Sequence, residues 1–280
     1  MISVIIPTFN EEEVIVSCLE SLSKQSIKDI EMILIDDGGS DRTVVRGKET
    51  QKRLRLKNVI CLNQKHKGPG AARNLGVKMA HGKILVFVDA DMTFDKMFVE
   101  KLVEPIVGRK AKGTFSKEEY VSNWDNIWAR CWNINEGWAE KRRHRANYPN
   151  HQKVFRAILK SEFDAIGGFT PGGYNDDWSL SQKLGYEAQE APGAIFYHRN
   201  PQTLTEIFFH ARWVSKRNYK LGIFGSFIAL IRVTLPFSII VGFIKSIRNK
   251  APLFVVFKVV YDFGAFCGII TTFLNGNLSK

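Results

Sequence analysis

The 280-residue chain has only four cysteines, Cys18, Cys61, Cys131 and Cys267, and no two form a Cys-x-x-Cys pair. Their scatter excludes a disulfide scaffold and a zinc ribbon, and fits reduced thiols in a cytosolic setting. No Gly-x-Gly-x-x-Gly follows the first apolar run and no Walker sequence occurs, which weakens the ordinary dinucleotide and P-loop readings. The basic residues have no zinc finger, helix-turn-helix or RNP-like aromatic motif beside them, so nucleic acid is not the expected partner. No secretory signal is expected, because the N-terminus enters a strand directly at Ile2-Ser-Val-Ile-Ile6. Acidic residues are also in deficit, 28 against 40 Lys and Arg, for a net charge of +12. Such a charge points to an anionic partner, a lipid surface or a phosphorylated small molecule.

What is present begins with an alternation. Apolar runs at Ser3–Pro7, Glu31–Ile35, Val59–Leu62 and Ile84–Val88 read as strands; Glu11–Lys24, Asp41–Leu54 and Gly70–Ala80 read as helices. This rhythm predicts an α/β fold with a mostly parallel sheet flanked by helices. The fourth strand delivers Asp89 and Asp91 to its C-terminal end, the edge where open α/β sheets bind ligands. Two carboxylates so close repel unless a cation compensates, and a hard divalent ion carrying a diphosphate is the natural partner. A polar turn with a helix-capping Asp is the plain alternative.

The middle, Gly113–Tyr197, is less regular. Trp124, Trp128 and Trp132 recur every fourth residue, a helical stripe more often found in cores than in binding platforms. The basic run Lys141–Arg145 reads first as a solvated face, with a phosphate site as the alternative. From about residue 216 the chain changes character. Gly222–Ile244 and Leu253–Leu274 are apolar stretches broken by Arg232, Pro236, Lys258 and Asp262, with a basic loop at Lys245–Lys250 between them. Each is long enough to span a bilayer, so a membrane hairpin, interfacial amphipathic helices and a soluble subdomain all compete. The expected division is 1–215 for a catalytic domain and 216–280 for a membrane-associated helical hairpin.

Four strand ends belong together: Pro7-Thr8-Phe9-Asn10-Glu11-Glu12, Asp36-Asp37-Gly38-Gly39-Ser40-Asp41, the loop Lys67-Gly-Pro-Gly-Ala-Ala-Arg-Asn74, and Asp89-Ala-Asp91. With Asp176-Asp177 downstream, this set resembles the inverting family 2 glycosyltransferases, which have the GT-A fold, over about the first 215 residues. The resemblance implies that Pro7, Thr8, Asn10, Glu12, Asp37, Arg73 and Asp89 line the nucleotide site, with Asp37 accepting a hydrogen bond from the base. It implies Mg²⁺ or Mn²⁺ on Asp91, with Asp89 and His198 near it. Asp177 takes the position of the general base and Asp176 that of a neighbouring acid, usually Glu in the family. The loop after Asp37 carries one glycine more than the family's Asp-Asp-Gly-Ser. Arg212-Trp213 partly matches the Gln-x-x-Arg-Trp motif of processive members; Phe209 replaces its glutamine, which disfavours polymer synthesis and leaves Arg212 for the diphosphate.

The function this implies is transfer of one sugar, with inversion, from a UDP- or GDP-linked donor to a hydroxyl on a lipid-linked or cell-envelope glycan. The enzyme would be associated with membrane lipids, its catalytic domain facing the cytoplasm. A polyprenyl-phosphate hexose synthase is the alternative, and a non-catalytic nucleotide-sugar-binding scaffold a weaker one. A nucleotidyltransferase would call for a Gly-rich, Lys-bearing loop after the first strand, where this chain has Asn10-Glu-Glu-Glu13.

Overall fold

The computed structural model describes residues 1–171, 176–216 and 219–275. The chain opens with β1 (Ile2–Thr8), α1 (Ile15–Ser23), β2 (Ile30–Asp36), α2 (Thr43–Arg53), β3 (Val59–Asn63), α3 (Pro69–Lys78) and β4 (Ile84–Phe87). β5 (Met92–Phe94), α4 (Phe98–Val107), β6 (Gly113–Phe115), β7 (Glu119–Val121) and α5 (Ile127–Glu136) follow. Then come β8 (His151–Gln152), β9 (Ala157–Leu159), α6 (Lys160–Ala165), α7 (Ser179–Leu184), β10 (Ala188–Glu190) and β11 (Phe196–His198). Four helices complete the described residues: α8 (Leu204–Ser215), α9 (Gly222–Arg232), α10 (Leu235–Arg248) and α11 (Phe254–Asn275).

The eight-stranded sheet runs β3-β2-β1-β4-β9-β6-β10-β8. Its first four strands are parallel, as the βα rhythm predicts; β9 enters antiparallel between β4 and β6 and makes the sheet mixed. Side chains of successive strand residues leave opposite faces, and the burial follows that rule. Val4, Ile6, Leu34 and Val86 pack on one face with Leu19 and Leu22 of α1 and Phe98 and Leu102 of α4. Ile5, Ile33, Ile35, Leu85 and Phe87 pack on the other with Ala72 and Val77 of α3. α3 lies close to the sheet because position 76 is glycine: a Cβ there would stand 2.6 Å from Ile35 Cδ1. A second sheet, β5-β11-β7, carries His198 at the end of β11.

The chain groups into two compact units, Met1–Tyr120 with Asn147–His198, and Val121–Ala146 with Arg199–Lys280. The apolar tail therefore shares a unit with 121–146 and 199–215, where a boundary at 215 is expected from composition. The reason is a shared core: Trp132 of α5 packs edge-on against Phe257 and Tyr261 of α11, and Ile207 of α8 joins the same cluster. Trp124 precedes α5, so the tryptophan stripe is two residues long, and Trp132 is core. In the basic run 141–145, the Arg143 guanidinium lies 5.3 Å over the Trp138 ring and His144 is buried. The first apolar stretch is not one helix. Thr234 is extended, Pro236 stands in the first turn of α10, and α9 and α10 meet at a 65° bend.

Candidate active site

All the site residues read from the sequence except Arg212 belong to the first unit, and they gather at the C-terminal ends of β1, β2 and β4. Pro7 is paired with Ile35 inside the sheet, and the Thr8 hydroxyl donates to the Ile35 carbonyl at 3.2 Å. Asn10 adopts φ +58°, a left-handed conformation that Asn tolerates better than most residues, and its Oδ1 accepts from the Ser40 N–H at 2.8 Å. Glu12 accepts from the Arg42 N–H at 2.9 Å while its own N–H donates to Asp41 at 3.0 Å. These residues fasten the β1–α1 loop to the β2–α2 loop. Phe9, 45% exposed, lies against the His66 ring with centroids 4.3 Å apart, leaving an aromatic surface at this edge.

Asp37 is buried and its carboxylate is taken up by the loop before α3. Oδ1 accepts from Gln64 Nε2 at 2.6 Å and the Lys67 N–H at 2.9 Å; Oδ2 accepts from the Gly68 N–H at 2.8 Å and faces His66 Nδ1 at 2.9 Å. A carboxylate offers about four lone-pair positions, and three N–H donors take three of them, while His66 Nδ1 also lies 3.2 Å from the Asp37 main-chain carbonyl. Asp37 also shapes the loop that leads into α3.

Asp176 is buried and accepts from the Gly70 N–H at 3.0 Å, at the first turn of α3. It tethers that helix N-terminus, where a negative charge is stabilised by the unpaired N–H groups. This gives Asp176 a holding role at the N-terminus of α3. The stretch before it, Gly172 to Asn175, lies outside the described residues.

Arg73 links Asp89 to Asp177. One guanidinium nitrogen donates to Asp177 and the other to Asp89 Oδ1 at 2.8 Å, and the side chain is 6% exposed. Arg156 approaches Asp89 from the other side, Nη1 to Oδ2 at 3.2 Å. Burial alone would raise the Asp89 pKa, but Arg156 and Arg73, with His198, hold it well below the usual carboxylate range. Asp89 is thus a fixed anion clamped by the buried Arg73 and the partly buried Arg156. Asp177, by contrast, is 41% exposed at its side chain and keeps one oxygen beyond the Arg73 contact.

Asp91 Oδ2 is 2.9 Å from His198 Nε2, and His198 Nδ1 is 2.7 Å from Glu119 Oε1. Glu119 fixes the ring as the outer partner of a metal-binding histidine does. Glu11 lies in the field of this cluster: burial, then the charges of Asp91 and Asp89, raise its pKa to about 8. Negative charge is therefore in excess here. Among the described residues no group of three or more His, Cys, Asp or Glu forms a ready metal cage. Mg²⁺ and Mn²⁺ do not need one, since one or two protein ligands plus phosphate oxygens and water suffice. Asp91 and His198 are the residues that would hold such an ion, which would offset the negative charge gathered there.

Glu119 and Arg156 were not readable from local sequence. Glu119 lies in an unremarkable Ser116-Lys-Glu-Glu-Tyr120 segment, and Arg156 precedes a strand whose antiparallel insertion beside β4 has no βα signature. Glu11 was visible in the run Asn10–Glu13 as charge, but not as a neighbour of Asp91 and Asp89. Arg212 is partly buried in α8 of the second unit, and its Nε has no hydrogen-bond partner.

A profile described as "Glycosyl transferase family 2" matches residues 3–180. The uncharacterized glycosyltransferase EpsJ of Bacillus subtilis is 36% identical over 104 residues, 37% of this chain and 30% of that protein. Poly(ribitol-phosphate) beta-N-acetylglucosaminyltransferase TarS of Staphylococcus aureus is 38% identical over 96 residues, 34% of this chain and 17% of that protein. These alignments span about a third or less of the curated relatives' length. Among solved structures, S. aureus TarS 1–349 in complex with UDP superposes with a TM-score of 0.53 at 16% identity, covering 100% of this chain and 93% of that one. The mannosyltransferase PcManGT from Pyrobaculum calidifontis, in complex with GDP-Man and Mn2+, gives 0.56 at 16% identity, covering 99% and 76%. At that identity the superpositions establish the fold. The profile match extends over more than half of the sequence, from β1 through the first residues of α7, and the chain belongs to glycosyl transferase family 2.

Proposed function

We propose that this protein transfers a single sugar from a nucleotide-diphosphate donor to a hydroxyl acceptor, with inversion at the anomeric carbon. The observation that carries the reading is Arg73, which holds Asp89 of the Asp-x-Asp pair and Asp177 on one buried guanidinium. The leaving-group side and the acceptor side of a displacement are thereby fixed to each other. UDP and GDP-Man in the crystals of TarS and PcManGT support a nucleotide-sugar donor.

In this reading the β1–α1 and β2–α2 loops and the Phe9–His66 surface hold the nucleoside. Asp91 and His198 would hold Mg²⁺ or Mn²⁺, which supplies charge neutralisation for the departing diphosphate when bound. Asp89 keeps Arg73 in place, and Asp177 accepts the proton of the acceptor hydroxyl as its oxygen attacks the anomeric carbon. Bond formation and loss of the nucleoside diphosphate on opposite faces invert the centre in one displacement. Asp176 positions the first turn of α3 beneath the site. Arg212 is assigned to the diphosphate as part of the same reading.

The acceptor is a lipid-linked or cell-envelope glycan, and the apolar, basic tail supports attachment to the cytoplasmic face of a membrane. A polyprenyl phosphate acceptor is the second reading, favoured by the same tail; a phosphate oxygen needs no base. A donor panel with Mn²⁺ tests the whole: wild type should release nucleotide from one donor class, and Asp91→Ala should not. Equal release by both removes the catalytic reading. Asp177→Asn should keep donor binding by calorimetry and lose transfer by about 10²–10⁴-fold; undiminished transfer would favour the phosphate acceptor.

A further inference from the structure

The second unit indicates how such an attachment is made. α9 and α10 leave a continuous set of large apolar side chains uncovered: Phe224 is 80% exposed, Ile223 75%, Ile247 78%, with Phe227, Ile240 and Phe243 also exposed. Scattered apolar residues are normal on a surface, but two consecutive helices of them form a patch that wants an apolar partner. The opposite side of α10 is not free. Ser238 is buried and donates to Asp262 Oδ2 of α11 at 2.7 Å, and Gly242 lies against Val255.

Charge identifies the partner. Between Glu206 and Asp262 the sequence has no acidic residue. Lys220, Arg232, Arg248 and Lys250 are exposed around the apolar patch, and none has an acidic partner among the described residues. An apolar face rimmed by unpaired cations matches an anionic phospholipid surface.

Length and burial decide how deep the helices go. α9 has 11 residues and α10 has 14, about 16 and 21 Å, against about 30 Å of hydrocarbon. Joined as one broken span they would put Arg232 near mid-membrane, where a charge is expensive. α11, at 22 residues, is long enough to span. Its centre, however, holds the buried Asp262 paired with Lys258 at 2.6 Å. α8, with Glu206, His210 and Arg212, packs tightly along it, since Cβ atoms at Gly264 and Gly268 would stand 2.4 and 2.3 Å from the Phe208 and Arg212 carbonyls. α11 also exposes Phe263, Phe266 and Phe273, but a helix that carries this ion pair and is flanked by that polar neighbour is poorly suited to cross.

We propose that α9 and α10 lie in the plane of an anionic bilayer surface, apolar faces in the acyl boundary and Lys220, Arg232, Arg248 and Lys250 at the headgroups, and that α11 does not cross. The proposal rests on the membrane reading above and specifies its form: a one-sided anchor that keeps the chain on the face where soluble donor and lipid headgroups meet.

The test uses the full chain added to preformed phosphatidylcholine vesicles with and without phosphatidylglycerol. Binding should require phosphatidylglycerol, be released by alkaline carbonate, and weaken by about tenfold or more between low and high salt. Phe224→Glu with Phe227→Glu should lower partitioning by about tenfold or more with an unchanged gel-filtration profile. Arg232→Cys should label with an impermeant maleimide added outside, above the parent chain's own thiols. Carbonate-resistant binding with a shielded Arg232→Cys overturns the in-plane anchor and leaves membrane attachment standing. Absence of binding to any vesicle overturns both, while nucleotide release still judges the transferase reading. Should the double variant change its elution, the salt and labelling arms on the folded parent decide.

Discussion

At the scale of single residues, the site is organised by groups that never need to touch substrate. Arg73 is the clearest, because its two terminal nitrogens serve two carboxylates from distant parts of the chain. Arg73→Gln should lower single-turnover transfer by about 10²–10³-fold at saturating donor. Arg73→Lys should not restore it, since a point ammonium cannot span Asp89 and Asp177 as a planar fork does. Near wild-type turnover in Arg73→Lys would mean that the linkage is dispensable. Glu119 acts one step further out, through His198 Nδ1. Glu119→Gln should raise the Mn²⁺ concentration needed for donor binding by about 10–100-fold and leave the rate at saturating metal largely intact. A fall in that rate with unchanged metal dependence would detach Glu119 from the metal side.

At the scale of elements, α3 is the part on which the site is hung. Its N-terminus is held by Asp176 through Gly70, its approach loop by Asp37, and its packing on the sheet by Gly76. A Cβ at Gly70 would stand 2.6 Å from Asp176 Oδ2. Gly70→Ala should therefore destabilise the chain by about 1–3 kcal/mol in urea denaturation and displace Asp176. An unchanged midpoint would show that the turn yields freely. The same element separates what the sequence discloses from what it hides. β1 to β4 and α1 to α3 were legible because buried parallel strands are continuous apolar runs and short loops join them to periodic helices. Asp89, Asp91 and Asp177 were legible as carboxylates at strand or helix ends. The partners of Asp37 and Asp176 were not, because a carboxylate's choice between ligand and backbone N–H depends on loop geometry that no residue pattern encodes. Arg156 stands just before β9 and Glu119 opens β7, three-residue strands too short to show a period. The break before Pro236 was present in the sequence as a proline, but composition alone left one long apolar stretch.

For the whole molecule, two glutamates at opposite edges of the sheet pull the pH dependence of stability in opposite directions. At the N-terminal edge of β1 and β2, Glu31 accepts from the Ser3 hydroxyl at 2.5 Å and from the His81 and Gly82 N–H groups at 2.6 and 3.1 Å. Burial would raise its pKa, but these hydrogen bonds outweigh it and the net shift is downward. A depressed carboxylate stabilises above its unfolded value, about 4.3, and that contribution disappears as pH falls through the folded value. Glu31→Gln should cost about 1–3 kcal/mol at pH 7 and flatten the acid limb of a Tm–pH curve. At the C-terminal edge Glu11 behaves the other way, raised to about 8 by burial and by Asp91 and Asp89. There the folded state binds the proton more tightly than the unfolded chain, so stability falls as pH rises from about 4.3 toward 8. Glu11→Gln should raise Tm at pH 8 by about 2–4 °C in metal-free buffer and change it little at pH 5. Mn²⁺ with nucleotide should flatten the same limb in the wild type, because added positive charge offsets the anionic cluster that makes Glu11 hard to ionise. A Glu11→Gln chain that still loses stability between pH 5 and 8 would assign that limb to another group and remove the excess of negative charge as an argument for a cation at Asp91 and His198.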